Sequence, residues 1–150
     1  MKTMRAIGIV GGGASGLMAA ITAASDRNVH VFILEQDASP GKKILSTGNG
    51  RCNLTNEHME SACYRSEDME QVEAVLEGFG FEDTLRVFGR LGLCVRSRDG
   101  YVYPLSNQAA AVRDVLLMEA RRLGVEVRTG VRVSEICPAA SHQSGPAQKV

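Results

Sequence analysis

The chain has 150 residues, enough for one compact domain with its own core, and 44% apolar with 23% charged residues is ordinary for a soluble globular protein. Lys plus Arg and Asp plus Glu each number 17, so the formal net charge is zero; with no Trp to stack bases, nucleic acid is not the expected partner. No apolar run approaches a membrane span, and Cys52, Cys63, Cys94 and Cys137 lack the spacing of a zinc site, so the expectation is a cytoplasmic protein with reduced thiols and no metal.

Residues 6–10 form a short run rich in Ile and Val, bounded by glycine, and predict a strand buried on both faces. The glycines between Gly11 and Gly16 also break the apolar stretch that, after Lys2 and Arg5, would otherwise imitate a signal peptide. Residues 15–24 place Leu17, Ala20, Ile21 and Ala24 at helical spacing, and residues 29–34 form a second β-branched strand ending in Glu35. Strand, glycine turn, helix and strand within about thirty residues make a parallel βαβ unit.

Residues 38–56 carry Gly, Ser, Thr, Asn and basic side chains without periodicity and predict a long, functional loop. Residues 67–77 and 82–90 predict two short helices within a helical segment at about 66–92. Val72, Val75 and Leu76 share a face of the first, and Leu85, Phe88 and Leu91 one side of the second. A tight turn at Asp99-Gly100 leads into extended residues 101–103, closed by Pro104. Ser106 is the expected N-cap of a helix running to Leu123, with Gly124 just past its end. Residues 125–128 and 131–136 read as strands. Residues 1–137 are thus expected to form one domain, and residues 138–150 a loop or disordered tail.

The sharpest chemical signal is Gly11-Gly12-Gly13-Ala14-Ser15-Gly16, a G-x-G-x-x-G between a strand and a helix. A side chain at Gly11 would obstruct the tight turn, one at Gly13 would hold the backbone off a pyrophosphate, and one at Gly16 would push helix and strand apart. Glu35, 19 residues beyond Gly16, is placed to accept hydrogen bonds from ribose hydroxyls. Its charge, followed by Gln36 and Asp37 rather than arginine, disfavours a 2′-phosphate and leaves FAD or NAD. The polar, glycine-spaced segment from Gly41 to Asn56, with Lys42, Lys43 and Arg51, favours FAD: it is suited to lie along an extended anionic cofactor, where an NAD-binding unit would continue into its next helix. Cys52 is the one thiol in such a setting, and its expected place is packed beneath the loop. His30, His58 and His142 are expected to be bystanders, and no residue stands out as a catalytic acid or base.

Four segments together carry a family resemblance: Gly11 to Gly16, Gly41-Lys42-Lys43, the Gly48-Asn49-Gly50-Arg51-Cys52-Asn53-Leu54-Thr55-Asn56 run, and Gly100-Tyr101-Val102-Tyr103-Pro104-Leu105-Ser106. With them the chain resembles the bacterial HI0933-like (BaiN/YhiN-type) FAD-dependent oxidoreductases, with Tyr101 standing where that family has an arginine. The resemblance implies an α/β, Rossmann-like FAD/NAD(P)-binding domain, the N-terminal portion of a two-dinucleotide-type flavoprotein. It implies that Gly11, Gly13, Ala14, Ser15 and Gly16 hold the pyrophosphate and that Glu35, with Gln36 after it, holds the adenosine ribose. It also implies that Lys43, Gly50, Arg51, Cys52 and Asn53 lie close to the cofactor and that the backbone near Val133 meets the adenine. Hydride transfer between NAD(P)H or an organic substrate and the flavin is the implied activity. An NAD-binding dehydrogenase domain, and a non-catalytic or RNA-modification-related FAD-binding fragment, are the competing readings.

Overall fold

The computed structural model describes residues 5–137. Strand β1 (Arg5–Val10) leads through the glycine turn into helix α1 (Ala14–Ala23), which returns to strand β2 (Val29–Glu35). Helices α2 (Lys42–Ser46), α3 (Met69–Gly78) and α4 (Phe81–Arg90) follow, with the short strand β3 (Thr55–Asn56) between α2 and α3. The hairpin β4 (Val95–Arg98) and β5 (Tyr101–Pro104), helix α5 (Ala109–Arg122) and strand β6 (Glu126–Thr129) complete the described chain.

Two three-stranded sheets result. One is parallel, in the order β1-β2-β6; the other is antiparallel, in the order β3-β5-β4. The predicted βαβ unit is therefore present, and β6 adds a second parallel partner to β2, in register from Phe32 opposite Glu126 to Glu35 opposite Thr129. Period-two alternation decides which side of the parallel sheet is packed. Val31 and Ile33 are buried in one core with Leu17, Ala20 and Ile21 of α1 and Val112, Leu116 and Ala120 of α5. Leu17, Ile33 and Leu116 are almost wholly buried, each worth roughly 1.5–3 kcal/mol of transfer free energy. Alanines at positions 20 and 120 leave no bulk to hold the two helices apart.

β1 is not buried on both faces. Among the described residues it is an edge strand, and Ile7 and Val10 are 39% and 57% exposed. On the sheet's outer face the Phe32 ring lies so close over Gly8 that a Cβ there would stand 2.7 Å from it. The Arg128 guanidinium stacks on that ring at 4.9 Å from its centroid.

The stretch 38–56 is more ordered than expected. Gly41, in the left-handed region at φ 74°, donates to the Gly12 carbonyl at 2.7 Å and opens the one-turn helix α2, and a tight 3-10 turn follows at Thr47–Gly50. The Asp99-Gly100 turn has both residues at positive φ, the conformation that joins two twisted strands. It therefore closes a true hairpin, whose first strand, β4, pairs with β5 from Val95 to Arg98. Ser106 does not cap α5. Asn107 takes φ 58°, the N-cap is Gln108, and Ser106 Oγ instead accepts the Gln108 N–H at 3.4 Å. Residues 131–136 form no strand: Val131 donates to the Glu35 carbonyl at 2.9 Å, and no ladder follows among the described residues. The expected tail at 138–150, and His142 within it, lie outside the described residues.

Candidate functional site

The site begins where β1 ends. Gly11 sits at φ 92°, a conformation costly for any residue with a Cβ, and its N–H donates to the Leu34 carbonyl at 2.8 Å, pinning the turn to β2. A Cβ at Gly16 would stand against the Gly11 carbonyl oxygen and 3.5 Å from the Ile9 side chain, so this glycine is what lets α1 approach the turn. Gly13 is different. A Cβ there would meet nothing within 4 Å, because its Cα faces open space in front of α1. Gly13 is the N-cap of α1, and neither a capping side chain nor an acidic residue occupies the first turn. The amides at this end and the positive end of the helix dipole are therefore directed outward, the arrangement that receives an anion.

Behind the turn, the buried Glu35 accepts the Gly12 N–H at 2.6 Å on Oε2 and the Asp37 N–H at 2.8 Å on Oε1. The carboxylate thus braces the turn, and each oxygen keeps a lone pair for a further donor. Lys42 turns back to Asp37 at 3.2 Å, which leaves Lys43 as the loop lysine facing the site.

A cavity of about 360 Å³ opens beside the helix terminus, and it brings together Ala14, Ser15, Lys43, Cys52 and Asn53. The other candidate residues do not line it. Gly50 and Arg51 do not line the cavity: Arg51 donates to the Gly48 carbonyl at 3.3 Å and stacks on Tyr103 at 5.2 Å from the ring centroid. Gln36 is exposed at the end of β2, and Val133 follows the segment tied to Glu35 by the Val131 amide. Cys52 is buried at φ 58° beneath the loop.

Sequence reasoning missed the cavity's apolar lining. Met18 of α1 and Ile44 of α2 form part of it, and Phe88, Val112 and Leu116 come from helices forty residues or more further along. Their helical periodicity marks them as core, but nothing local shows that their outer ends reach a ligand cavity. The floor of the site is therefore apolar and its rim is amide, hydroxyl and ammonium.

A second, larger cavity of about 960 Å³ adjoins the first at Asn53 and Leu54, which line both. It is an open groove between β3, the segment 57–64, α3 and the turn joining β4 to β5. Among the described residues no group of three or more His, Cys, Asp or Glu is placed to hold a metal ion, and no helix is long and apolar enough to cross a membrane.

Comparison with known proteins places this geometry. The HI0933-like protein Rossmann domain matches residues 5–147. A 3-dehydro-bile acid delta(4,6)-reductase of Clostridium scindens is 58% identical over 134 residues, 89% of this chain and 33% of that protein. A ribosomal RNA dihydrouridine synthase of Escherichia coli is 26% identical over 137 residues, 91% of this chain and 33% of that protein. The chain thus spans about a third of the length of the curated relatives it matches. Among solved structures, THI4 of Thermovibrio ammonificans superimposes with a TM-score of 0.55 at 19% identity, over 85% of this chain and 38% of that one, a likeness of fold.

Proposed function

The chain belongs to the HI0933-like Rossmann-domain family, and from that premise we propose that it is the FAD-binding part of an oxidoreductase that reduces a carbon–carbon double bond conjugated to a carbonyl. The observation that carries the proposal is the open glycine turn at the N-terminus of α1, with the Glu35 carboxylate fixed behind it.

The residues present fit the cofactor. Gly11, Gly13 and Gly16 keep the turn bare, and the amides at Ala14 and Ser15 supply donors for the diphosphate. The free lone pairs of Glu35 suit the adenosine ribose hydroxyls, with Gln36 beside them, and the backbone at Val133 the adenine. Lys43 adds a positive charge at the cavity rim, Cys52 and Asn53 line the same cavity, and Asn53 also lines the second. Gly50 and Arg51 serve less directly, by shaping the loop: Arg51, held by Gly48 and Tyr103, fixes the run from 48 to 52. When bound, FAD supplies a two-electron carrier between a nicotinamide donor, NAD(P)H, and an organic acceptor.

The reaction class rests on the relatives. A 3-dehydro bile acid with Δ4,6 unsaturation carries double bonds conjugated to a ketone, and dihydrouridine is uridine with the double bond next to its carbonyl saturated. Saturating a double bond conjugated to a carbonyl by hydride transfer would add the hydride to the carbon distal to the carbonyl and a proton to the carbon between. The more similar relative, at 58% identity, favours the steroid-like substrate. An RNA substrate suits the neutral net charge poorly. Four free thiols and the absence of a membrane-crossing helix among the described residues accord with a cytoplasmic setting.

The test is a visible absorption spectrum of the purified protein after incubation with FAD and desalting. Retained flavin absorption supports the proposal. A colourless protein that binds NAD instead would turn it to a dehydrogenase domain.

A further inference from the structure

Helix α3 contributes nothing to the core: none of its residues is buried, although Val72, Val75, Leu76 and the following Phe79 make one apolar side. Its start is nevertheless well specified, since Asp68 accepts the Gln71 N–H at 2.9 Å as an N-cap. That apolar side forms one wall of the groove of about 960 Å³, faced by Leu54, Met59 and Tyr101. Four large apolar residues that are exposed in this protein, Tyr64, Val75, Phe79 and Tyr101, line this one groove. Exposed apolar side chains gathered in one concavity mark a binding site rather than scattered surface.

We infer that this groove binds the substrate of the reduction, and that the part of the substrate lying in it is largely apolar and uncharged. The inference rests on the reading that the adjoining cavity holds the flavin. Three observations support it. The volume falls at the upper end of the range for small-molecule sites, about 300–1,000 Å³. The groove meets the cofactor cavity at Asn53 and Leu54, so a molecule lying along α3 presents one end at their shared wall. Among the described residues no lysine or arginine lines it, and His58 and Asp99 are its one histidine and one acidic group, so no cluster of cations faces a phosphate backbone. The polar groups it does offer, from Asn53, Asn56, Gln71 and Thr84, are neutral hydrogen-bonding partners for an isolated carbonyl or hydroxyl.

Testosterone, a neutral steroid with a ketone conjugated to a ring double bond, is a suitable probe, measured by equilibrium dialysis with a uridine-containing RNA oligonucleotide as the alternative ligand. Val75 is 60% and Phe79 44% exposed, so Val75→Glu and Phe79→Gln change the groove without disturbing the core. Met118→Glu, on the exposed side of α5 at 66% exposure, controls for an added charge elsewhere. The expected result is testosterone binding weakened about tenfold or more by each groove variant, unchanged by Met118→Glu, with flavin content equal in all. Unaltered testosterone binding in both groove variants overturns the inference, as does RNA binding that they abolish. Failure to retain flavin overturns the cofactor reading instead, and because dialysis needs no turnover, the groove is then still judged on its own binding.

Discussion

The backbone amide of Gly12 donates to the carboxylate of Glu35 at 2.6 Å, so the residue at the end of β2 holds the shape of the turn at the end of β1. The Asp37 amide occupies the other oxygen at 2.8 Å, and the group is buried. In Glu35→Gln one of these two backbone donors meets a side-chain NH2 in place of an acceptor. The expected cost is about 1–3 kcal/mol of stability together with weakened FAD binding. Urea unfolding and flavin titration of the variant measure both, and unchanged stability would contradict the bracing role.

Gly13 and Gly16 separate ligand binding from folding. Gly13→Val places its side chain in open space at an ordinary φ of −75°, so the protein should fold with nearly native Tm yet fail to retain flavin. Gly16→Val drives its Cβ into the Gly11 carbonyl, a backbone atom that cannot move aside, and should cost about 3 kcal/mol or more. Circular dichroism melting beside the visible spectrum distinguishes the two outcomes. A folded Gly13→Val protein that still holds flavin would remove the turn from the site.

Leu116 is 1% exposed and stands at the junction of the sheet core and the cavity of about 360 Å³. Leu116→Ala should destabilise the protein by about 2–5 kcal/mol, toward the lower end where the cavity admits solvent or side chains relax into the space. Chemical denaturation provides the value.

Asp83 ties down the start of α4. Its carboxylate accepts the Gly80 N–H at 3.0 Å and the Arg86 guanidinium at 2.7 Å. The Gly80 backbone hydrogen bond, and then Arg86, hold its pKa below the usual carboxylate value. A carboxyl with a lowered folded pKa stabilises the fold above its unfolded pKa and loses that contribution as the pH falls through the folded one. Asp83→Ala should therefore lower Tm at neutral pH, and the gap from the parent protein should close as the pH is taken below 3.8. A gap that persists undiminished in acid would show that packing, not charge, is responsible.

The βαβ unit was legible because each of its parts has a local cause: Gly11 needs its φ, Gly16 its missing Cβ, and α1 its apolar stripe at Leu17, Ala20 and Ile21. Where the expectation failed, the deciding contact was distant or the signal small. β4 carries Val95 followed by Arg96, Ser97 and Arg98, too polar to read as a strand, and it exists because β5 pairs with it across the Asp99-Gly100 turn. α2 is five residues long, opened by the left-handed Gly41 and docked on α5, with Gly41 itself seated under the Arg113 side chain. The burial expected of β1 followed from composition alone, which does not reveal a strand's place in the sheet order. For the same reason Glu35 stood out as a candidate and Phe88 did not: a hydrogen-bonding acid at the right spacing suggests a role, whereas a phenyl ring on a helix signals only burial.

The edge position of β1 governs how this chain behaves in a tube. Its outer side has no strand partner among the described residues, Arg5 is the one charge along it, and Val10 is largely bare. Such an edge accepts a strand from another molecule, since little electrostatic repulsion opposes the approach. Concentrated stocks should accordingly lose monomer over time, and do so faster in kosmotropic salt. Ile7→Lys, at a position on that strand already 39% exposed, should lengthen shelf life without touching the glycine turn.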